Sequence, residues 1–223
     1  MKFGTQGQIY NFITPALKLN NNELDFVENY NYLGVQLDQQ LKFDKQINQM
    51  RAKAAQKLYI FGRLRRFMTY RQALTIYKSK LLPYLEYGGI LVHNTNQTLL
   101  TKLQRLQNRG LKIALYSPPR TTIEKIHKDG KINFLEDRRH KQIAIHAYTM
   151  TKLDHHLVNP TRETRLHDGP VLKTYDRRLQ TFKRSVSFKC ADLWNNLGIN
   201  DRCIPTLEDF KKNRSKFLAS QRL

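Results

Sequence analysis

Apolar residues three or four positions apart recur along most of this chain, and this spacing predicts a mainly α-helical fold. The first such run comprises Ile47, Met50, Ala54, Leu58 and Phe61. Its spacing puts all five side chains on one face of a helix that covers about residues 43–67. Because 40% of the 223 residues are hydrophobic, the chain has enough apolar surface to bury that face in a core.

Capping signals indicate further helices along the chain. Thr69 with Gln72 forms a capping box that begins a second helix, which we expect to kink at Pro83. A third helix is predicted over about residues 98–115. Thr121 with Glu124 predicts another capping box, for a short helix that Gly130 closes, and a long helix follows over about residues 134–154.

The carboxyl-terminal part of the chain predicts a pair of helices. The first is expected to bury Phe188, Leu193 and Trp194. Thr206 then caps a final basic helix. That final helix contains Phe210, Phe217 and Leu218.

Residues 16–38 alternate between apolar and polar positions, which is typical of β-strands. Leu33, Val35 and Leu37 fall on one face of a strand, and the asparagines at positions 20–22 form a turn before it. We therefore predict a small N-terminal antiparallel β-meander in an otherwise helical protein. The predicted units are residues 1–40 for the meander, 41–154 for a helical bundle, 155–184 for a basic connector, and 185–223 for the helical pair.

The charge of the chain predicts a polyanionic partner. Its 39 lysines and arginines against 18 aspartates and glutamates give a formal charge of +21. Since these basic residues are spread along the whole chain and form no single amphipathic segment, nucleic acid is favoured over a membrane surface.

Four cations on the third predicted helix form a stripe: Lys102, Arg105, Arg109 and Lys112. Their spacings of three, four and three residues place them on one side of that helix, where they could follow a phosphate backbone. A solvated helix face would show the same pattern, so both interpretations stay open. Lys53 and Lys57, one turn apart on the first helix, are candidates of the same kind.

The cysteines and histidines indicate a reduced compartment and no metal. Cys190 and Cys203 lack a CxxC context, and each is expected to be a small buried apolar group. His155 and His156 are adjacent and lack the short-range Cys/His spacing of a zinc site. No signal peptide or membrane-spanning stretch is recognisable, so we expect a soluble intracellular protein, in the nucleus or cytoplasm.

Several sequence blocks, in a fixed order, carry a family resemblance. They are KFGT at residues 2–5, YNYLGVQLDQQLKF at 30–43, IYKSKLLPYLEYG at 76–88, LQRLQNRGLKIAL at 103–115, and SFKCADLWNNLG at 187–198 followed by DFKK. Together they resemble the C-terminal part of non-LTR (LINE-type) retrotransposon reverse transcriptases, from the end of the palm through the thumb and its extension. The resemblance implies that residues 1–40 are a palm remnant and residues 41–154 a helical thumb that contacts the template-primer.

The resemblance also implies a role for the YLG segment. In this family it acts as a primer grip, which would fall on Tyr32, Leu33 and Gly34 of this chain. A glycine there lets a backbone approach a phosphate closely. The alternative is that Gly34 only relieves a close strand contact, while Tyr32 and Leu33 pack inside.

The family's polymerase chemistry depends on carboxylates that hold two Mg²⁺ ions, including an adjacent pair of aspartates. No such pair occurs in this sequence. We therefore expect no catalytic residue and no cofactor in this chain, and no DNA synthesis by the chain alone. The expected partners are RNA, DNA or an RNA–DNA hybrid, together with the palm and fingers that the resemblance leaves outside it. The alternatives are a stand-alone basic module that binds RNA or an acidic protein, and a decayed copy without function.

Overall fold

The computed structural model describes residue 3 and residues 17–152, 158–159, 171–172, 183 and 185–220. These residues are mainly helical, with short antiparallel strands near the N-terminus, and the predicted fold class is confirmed. The helices are α1 (Asp44–Leu64), α2 (Tyr70–Ile76), α3 (Leu82–Glu86), α4 (Gln97–Leu115), α5 (Ile123–Gly130), α6 (Leu135–Lys152), α7 (Val186–Asn195), α8 (Ile199–Arg202) and α9 (Leu207–Ser220).

The N-terminal strands form two separate hairpins, where a single meander was expected. The strands are β1 (Lys18–Leu19), β2 (Asn22–Glu23), β3 (Asn29–Tyr32) and β4 (Val35–Asp38). Within the described residues, β1 pairs with β2 and β3 pairs with β4. The connecting residues Leu24, Phe26 and Val27 are exposed, so no buried face fixes β2 in register beside β3.

The first core is built on α1, and the apolar face predicted for this helix is confirmed. The side chains of Ile47, Met50, Ala54, Leu58 and Phe61 are all buried, and α1 packs mainly against α4, α3 and β4. The helix ends in a 3₁₀ turn, Arg65–Phe67, close to the predicted end. Leu103 of α4 is also fully buried.

A π-helical segment, Tyr77–Leu81, separates α2 from α3. The segment ends just before Pro83, which lies in the first turn of α3, where a proline costs no hydrogen bond. The fully buried Tyr77 belongs to this segment, and its hydroxyl donates to the carbonyl of Gln107 on α4 at 3.3 Å. Burial raises the pKa of Tyr77, so this hydroxyl stays protonated.

One predicted capping box is confirmed and the other is wrong. The Thr69 hydroxyl and the Gln72 side chain cap α2 reciprocally. For α5 the N-cap is Thr122, which makes no side-chain capping bond, because the amide of Thr121 closes a turn onto the carbonyl of Pro118. At the other end of α5, Lys131 adopts the left-handed conformation that we expected of a glycine.

A second core joins α6, α7 and α9. Trp194, as predicted, and Phe210 are fully buried in it beside Tyr148 of α6. Phe188 and Leu193 are half-buried. The cap at Thr206 is confirmed, since its hydroxyl accepts from the amide of Asp209 at 3.1 Å. The side chains of Phe217 and Leu218 lie outside the described ones.

The predicted connector, residues 155–184, is described only at β5 (Val158–Asn159), β6 (Val171–Leu172) and residue 183. Leu172 is buried in the second core. The Asn195 side chain makes two hydrogen bonds to the backbone of Leu172. Its Nδ2 donates to the Leu172 carbonyl at 2.9 Å, and its Oδ1 accepts from the Leu172 amide at 3.1 Å. The division into four units stays a prediction.

Candidate nucleic-acid interface

Positive charge is concentrated in the stretch that builds α1 to α4. Residues 45–123 contain fifteen lysines and arginines and a single acidic residue, Glu86. That carboxylate is paired with Arg138 of α6, whose Nη2 donates to Glu86 Oε2 at 3.1 Å. The cations of this stretch therefore have no uncommitted carboxylate of their own to neutralise them.

Helices α1 and α4 pack side by side and run in the same direction. A Cβ added at Gly110 would contact Leu58, and one added at Gly62 would contact Ile113. One turn later, Arg65 Nε donates to the Ile113 carbonyl at 3.0 Å. Because both residue numbers increase together along this contact, the two helices are parallel.

A groove of about 640 Å³ opens between the amino-terminal half of α1 and the middle of α4. Its lining residues are Asn48, Arg51, Ala52, Ala55, Lys102, Arg105, Leu106 and Arg109. The alanines of α1 have short side chains, which leaves the groove accessible from solvent.

Three cations of the predicted stripe, Lys102, Arg105 and Arg109, line this groove together. Arg51 faces them from α1, with its Nη1 donating to Asn48 Oδ1 at 2.9 Å. None of the four is paired with a carboxylate within the part of the chain that the structure describes. We call these four residues the groove cations. A surface with this charge is suited to a polyanion.

Arg51 was not among the predicted site residues, because nothing in its own helix separates it from the other exposed cations. The sequence did contain a signal for it. Residues 45–123 span both helices and contain a single acidic residue, so the cations in this stretch have few carboxylates near them in the sequence.

Lys112, the fourth residue of the predicted stripe, lies outside the groove. Its ammonium group donates to the carbonyl of Pro119 at 2.8 Å. This contact ties the turn after α4 back onto the helix. The helical spacing of the stripe could not reveal it, because the acceptor comes from the segment that follows.

The YLG segment forms the turn between β3 and β4. Leu33 and Gly34 both adopt positive φ, at 49° and 79°, which a two-residue hairpin turn requires. Tyr32 is 58% exposed and Leu33 is 76% exposed. The alternative in which these two side chains pack inside is wrong, because they lie at the tip of a hairpin whose buried contact is made by Val35.

The hairpin turn contacts Tyr87, whose hydroxyl donates to the carbonyl of Leu33. A Cβ added at Gly34 would lie 3.4 Å from that hydroxyl oxygen. This is an ordinary van der Waals distance, so the feature that favours a glycine here is its positive φ.

A second cleft, of about 480 Å³, lies beside this turn on the opposite flank of α1 from the groove. Gly34, Lys53, Lys80, Tyr84 and Tyr87 contribute to its lining. Lys53 therefore belongs to this cleft and not to the groove.

Lys57, the other candidate on α1, is held by an aromatic ring. Its ammonium nitrogen lies 4.3 Å from the ring centroid of Tyr84, a cation–π contact. Neither Lys53 nor Lys57 joins the groove cations.

No group of three or more histidine, cysteine, aspartate or glutamate side chains that could hold a metal ion occurs among the described residues. His155 and His156 lie outside them. Cys190 is buried as predicted, and burial raises the pKa of its thiol to about 12. Cys203 is exposed, so the prediction that both cysteines are buried is wrong for it.

Comparisons with known proteins returned no match. No protein-family model, no curated protein and no solved structure is significantly similar to the chain. A helix with the length and apolar character needed to cross a bilayer is not found in the described ranges.

Proposed function

We propose that this chain binds the phosphate backbone of nucleic acid through the groove cations, as the gripping part of a non-LTR retrotransposon reverse transcriptase. The observation that supports this function is the convergence of Arg51, Lys102, Arg105 and Arg109 on one groove without a paired carboxylate. The family part of the proposal rests on the ordered sequence blocks.

The dimensions of the groove suit a phosphate backbone. Lys102 and Arg109 are seven residues apart on α4, which is about 10 Å along the helix. That length corresponds to about three phosphates of one strand at 3.4 Å of axial rise each. The groove therefore recognises the charge and shape of the backbone, and we expect the binding affinity to depend little on base sequence.

A salt titration of binding tests the groove. Each phosphate contact adds about −0.9 to the slope of log K against log salt for a duplex, so four contacts add about −3.6. We expect the variant Arg51→Gln, Lys102→Gln, Arg105→Gln, Arg109→Gln to lose most of this slope. Affinity for an RNA–DNA hybrid would be measured by fluorescence anisotropy over a series of NaCl concentrations.

The matched control removes four exposed cations that lie outside the groove, by Lys78→Gln, Arg120→Gln, Lys125→Gln and Lys128→Gln. Both variants have the same net charge. If both lowered the slope equally, binding would depend on net charge alone and the assignment to the groove would be wrong.

The polymerase relationship is tested separately. With a primed RNA template, deoxynucleotides and Mg²⁺, we expect the isolated chain to bind the substrate and add no nucleotide, because it has no adjacent aspartate pair. An active reverse transcriptase is the positive control. Extension of the primer by the isolated chain would overturn this part of the proposal.

A further inference from the structure

Three exposed aromatic rings lie around the carboxyl ends of α1 and α4, and each has an arginine guanidinium over one of its faces. The distances from the guanidinium carbon to the ring centroid are 4.9 Å for Arg63 and Tyr59, 4.7 Å for Arg66 and Phe67, and 5.3 Å for Arg65 and Tyr116. We call these six residues the aromatic platform.

The rings of the platform belong to the most exposed apolar side chains of the described chain. Tyr59 is 60% exposed, Phe67 is 72% exposed and Tyr116 is 78% exposed. Leaving so much ring surface in water gives up the stabilisation that burial would provide. These side chains therefore contribute little to the core, and the ring faces that the arginines leave uncovered are available to a partner.

Backbone contacts hold Arg65, one of the three arginines of the platform, in place. Arg65 donates to the carbonyls of Ile113 and Ala114 through Nε and to the carbonyl of Met68 through Nη1, at 2.8 to 3.1 Å. These bonds fix the guanidinium against the end of α4, directly beneath Tyr116. One face of the Tyr116 ring is thus covered by a fixed cation, while the ring as a whole stays largely exposed.

The chemistry of the platform suits unpaired bases. A planar aromatic ring offers a stacking surface to any nucleobase, and an adjacent arginine attracts the phosphate that follows the base. The platform contains three cations and no carboxylate, and it lies within residues 45–123, which have Glu86 as their one acidic residue. A negatively charged chain with flat, unpaired side groups matches both properties.

The platform continues the groove along the same pair of helices. Arg51 in the groove and Tyr59 in the platform are eight residues apart on α1, which is about 12 Å. Because α1 and α4 are parallel, Arg109 and Tyr116 follow each other in the same direction on the facing helix. A strand whose backbone leaves the groove at this end reaches the rings within about four nucleotides.

We infer that the aromatic platform stacks the unpaired bases of a nucleic-acid strand whose backbone is held by the groove cations. This inference rests on the proposed function and narrows its substrate to duplexes with a single-stranded extension. The duplex part contributes charge contacts that depend on salt, and the extension contributes stacking that depends on salt much less.

The test compares a blunt RNA–DNA hybrid with the same hybrid carrying a single-stranded extension of six nucleotides. We expect the wild type to bind the extended hybrid at least about tenfold more tightly, since stacking on aromatic side chains is strong for each base. In the variant Tyr59→Leu, Phe67→Leu, Tyr116→Leu this preference disappears, while affinity for the blunt hybrid and its salt slope are unchanged. The matched control is Tyr30→Leu, an exposed ring on β3 far along the chain from the platform.

A fluorescent base in the extension gives a second measurement that needs no variant. We expect 2-aminopurine in the extension to be quenched when the wild type binds, because stacking on a ring quenches its fluorescence. An equal preference for the extension in the triple variant would overturn the inference. The absence of any preference in the wild type would also overturn it, even if the groove variant had behaved as expected.

Two outcomes separate this inference from the proposed function. If the wild type bound neither the blunt nor the extended hybrid, the proposed function itself would be contradicted. If polyglutamate of equal charge displaced the extended hybrid as well as unlabelled extended hybrid does, the platform would recognise acidic chains in general, and the assignment to bases would be wrong.

Discussion

At the residue scale, the partners that fix a side chain often come from distant parts of the chain. Helical spacing was sufficient to place Lys102, Arg105 and Arg109 together, because all three belong to one helix. It could not show that Lys112 lies outside the groove, because Lys112 is bound to the Pro119 carbonyl of the following segment. It also could not show that Arg51 lines the groove, because Arg51 belongs to the facing helix α1. Spacing on one element predicts a face, but the function of that face depends on what another element places opposite.

His93 and His140 form the clearest case of a pH-sensitive pair. Their rings pack edge to face at 4.7 Å between centroids. Burial, followed by the charges of His140, Arg139 and Lys189, lowers the pKa of His93 to about 4. Burial also lowers the pKa of His140.

Because the pKa of His93 is lower in the folded chain than in the unfolded chain, protonation favours unfolding. We expect the melting temperature to be level above about pH 6.5 and to fall as the pH decreases from there towards 4. His93→Gln should make this fall shallower, as measured by thermal unfolding in a pH series. The matched control is His146→Gln, an exposed position on α6. A pH dependence that is the same in wild type and His93→Gln would contradict the expectation.

At the element scale, the long helices could be predicted from the sequence, and their junctions could not. The period of apolar residues identified α1, α4 and α6 to within a few residues at each end. The π-helical segment before Pro83 and the two separate hairpins were missed, because they depend on contacts between elements and not on a local period. Gly110 is another such case, since its neighbours reveal that α4 lies very close to α1.

The substitution Gly110→Ala tests this close packing. The added Cβ would lie 2.5 Å from the Tyr77 ring and 2.9 Å from Leu58 Cδ2, so the helices have to move apart. We expect the free energy of unfolding to fall by about 1–3 kcal/mol, measured by urea denaturation. Gly62→Ala on α1 is the control, because its Cβ would meet only Ile113 at 3.8 Å. That variant should keep or gain stability, by up to about 1 kcal/mol, and equal losses in both variants would argue against close packing at Gly110.

At the scale of the whole molecule, the distribution of charge matters more than its sum. The composition indicated a polyanionic partner, but not that almost all carboxylates lie outside the helices that form the groove. Repulsion among the cations of residues 45–123 opposes compaction there, and a bound polyanion or added salt relieves it.

We therefore expect the melting temperature to rise as NaCl increases from 50 mM to 500 mM. At low salt, we also expect it to be higher with heparin than without heparin. Differential scanning fluorimetry measures both effects. The groove variant, with four fewer positive charges, should show smaller increases than the wild type. A melting temperature that falls with salt would indicate that attractive ion pairs dominate the stability.

The parallel arrangement of α1 and α4 gives the groove a direction. Each helix carries about half a positive charge at its amino end and about half a negative charge at its carboxyl end, and two parallel helices align these macrodipoles. The two macrodipoles therefore both add positive potential at the end of the groove where the helices begin. At the opposite end, Arg65 offsets the negative pole of α4 through its bonds to the last carbonyls. Backbone dipoles alone therefore favour a negative charge at the amino-terminal mouth of the groove over one at its other end.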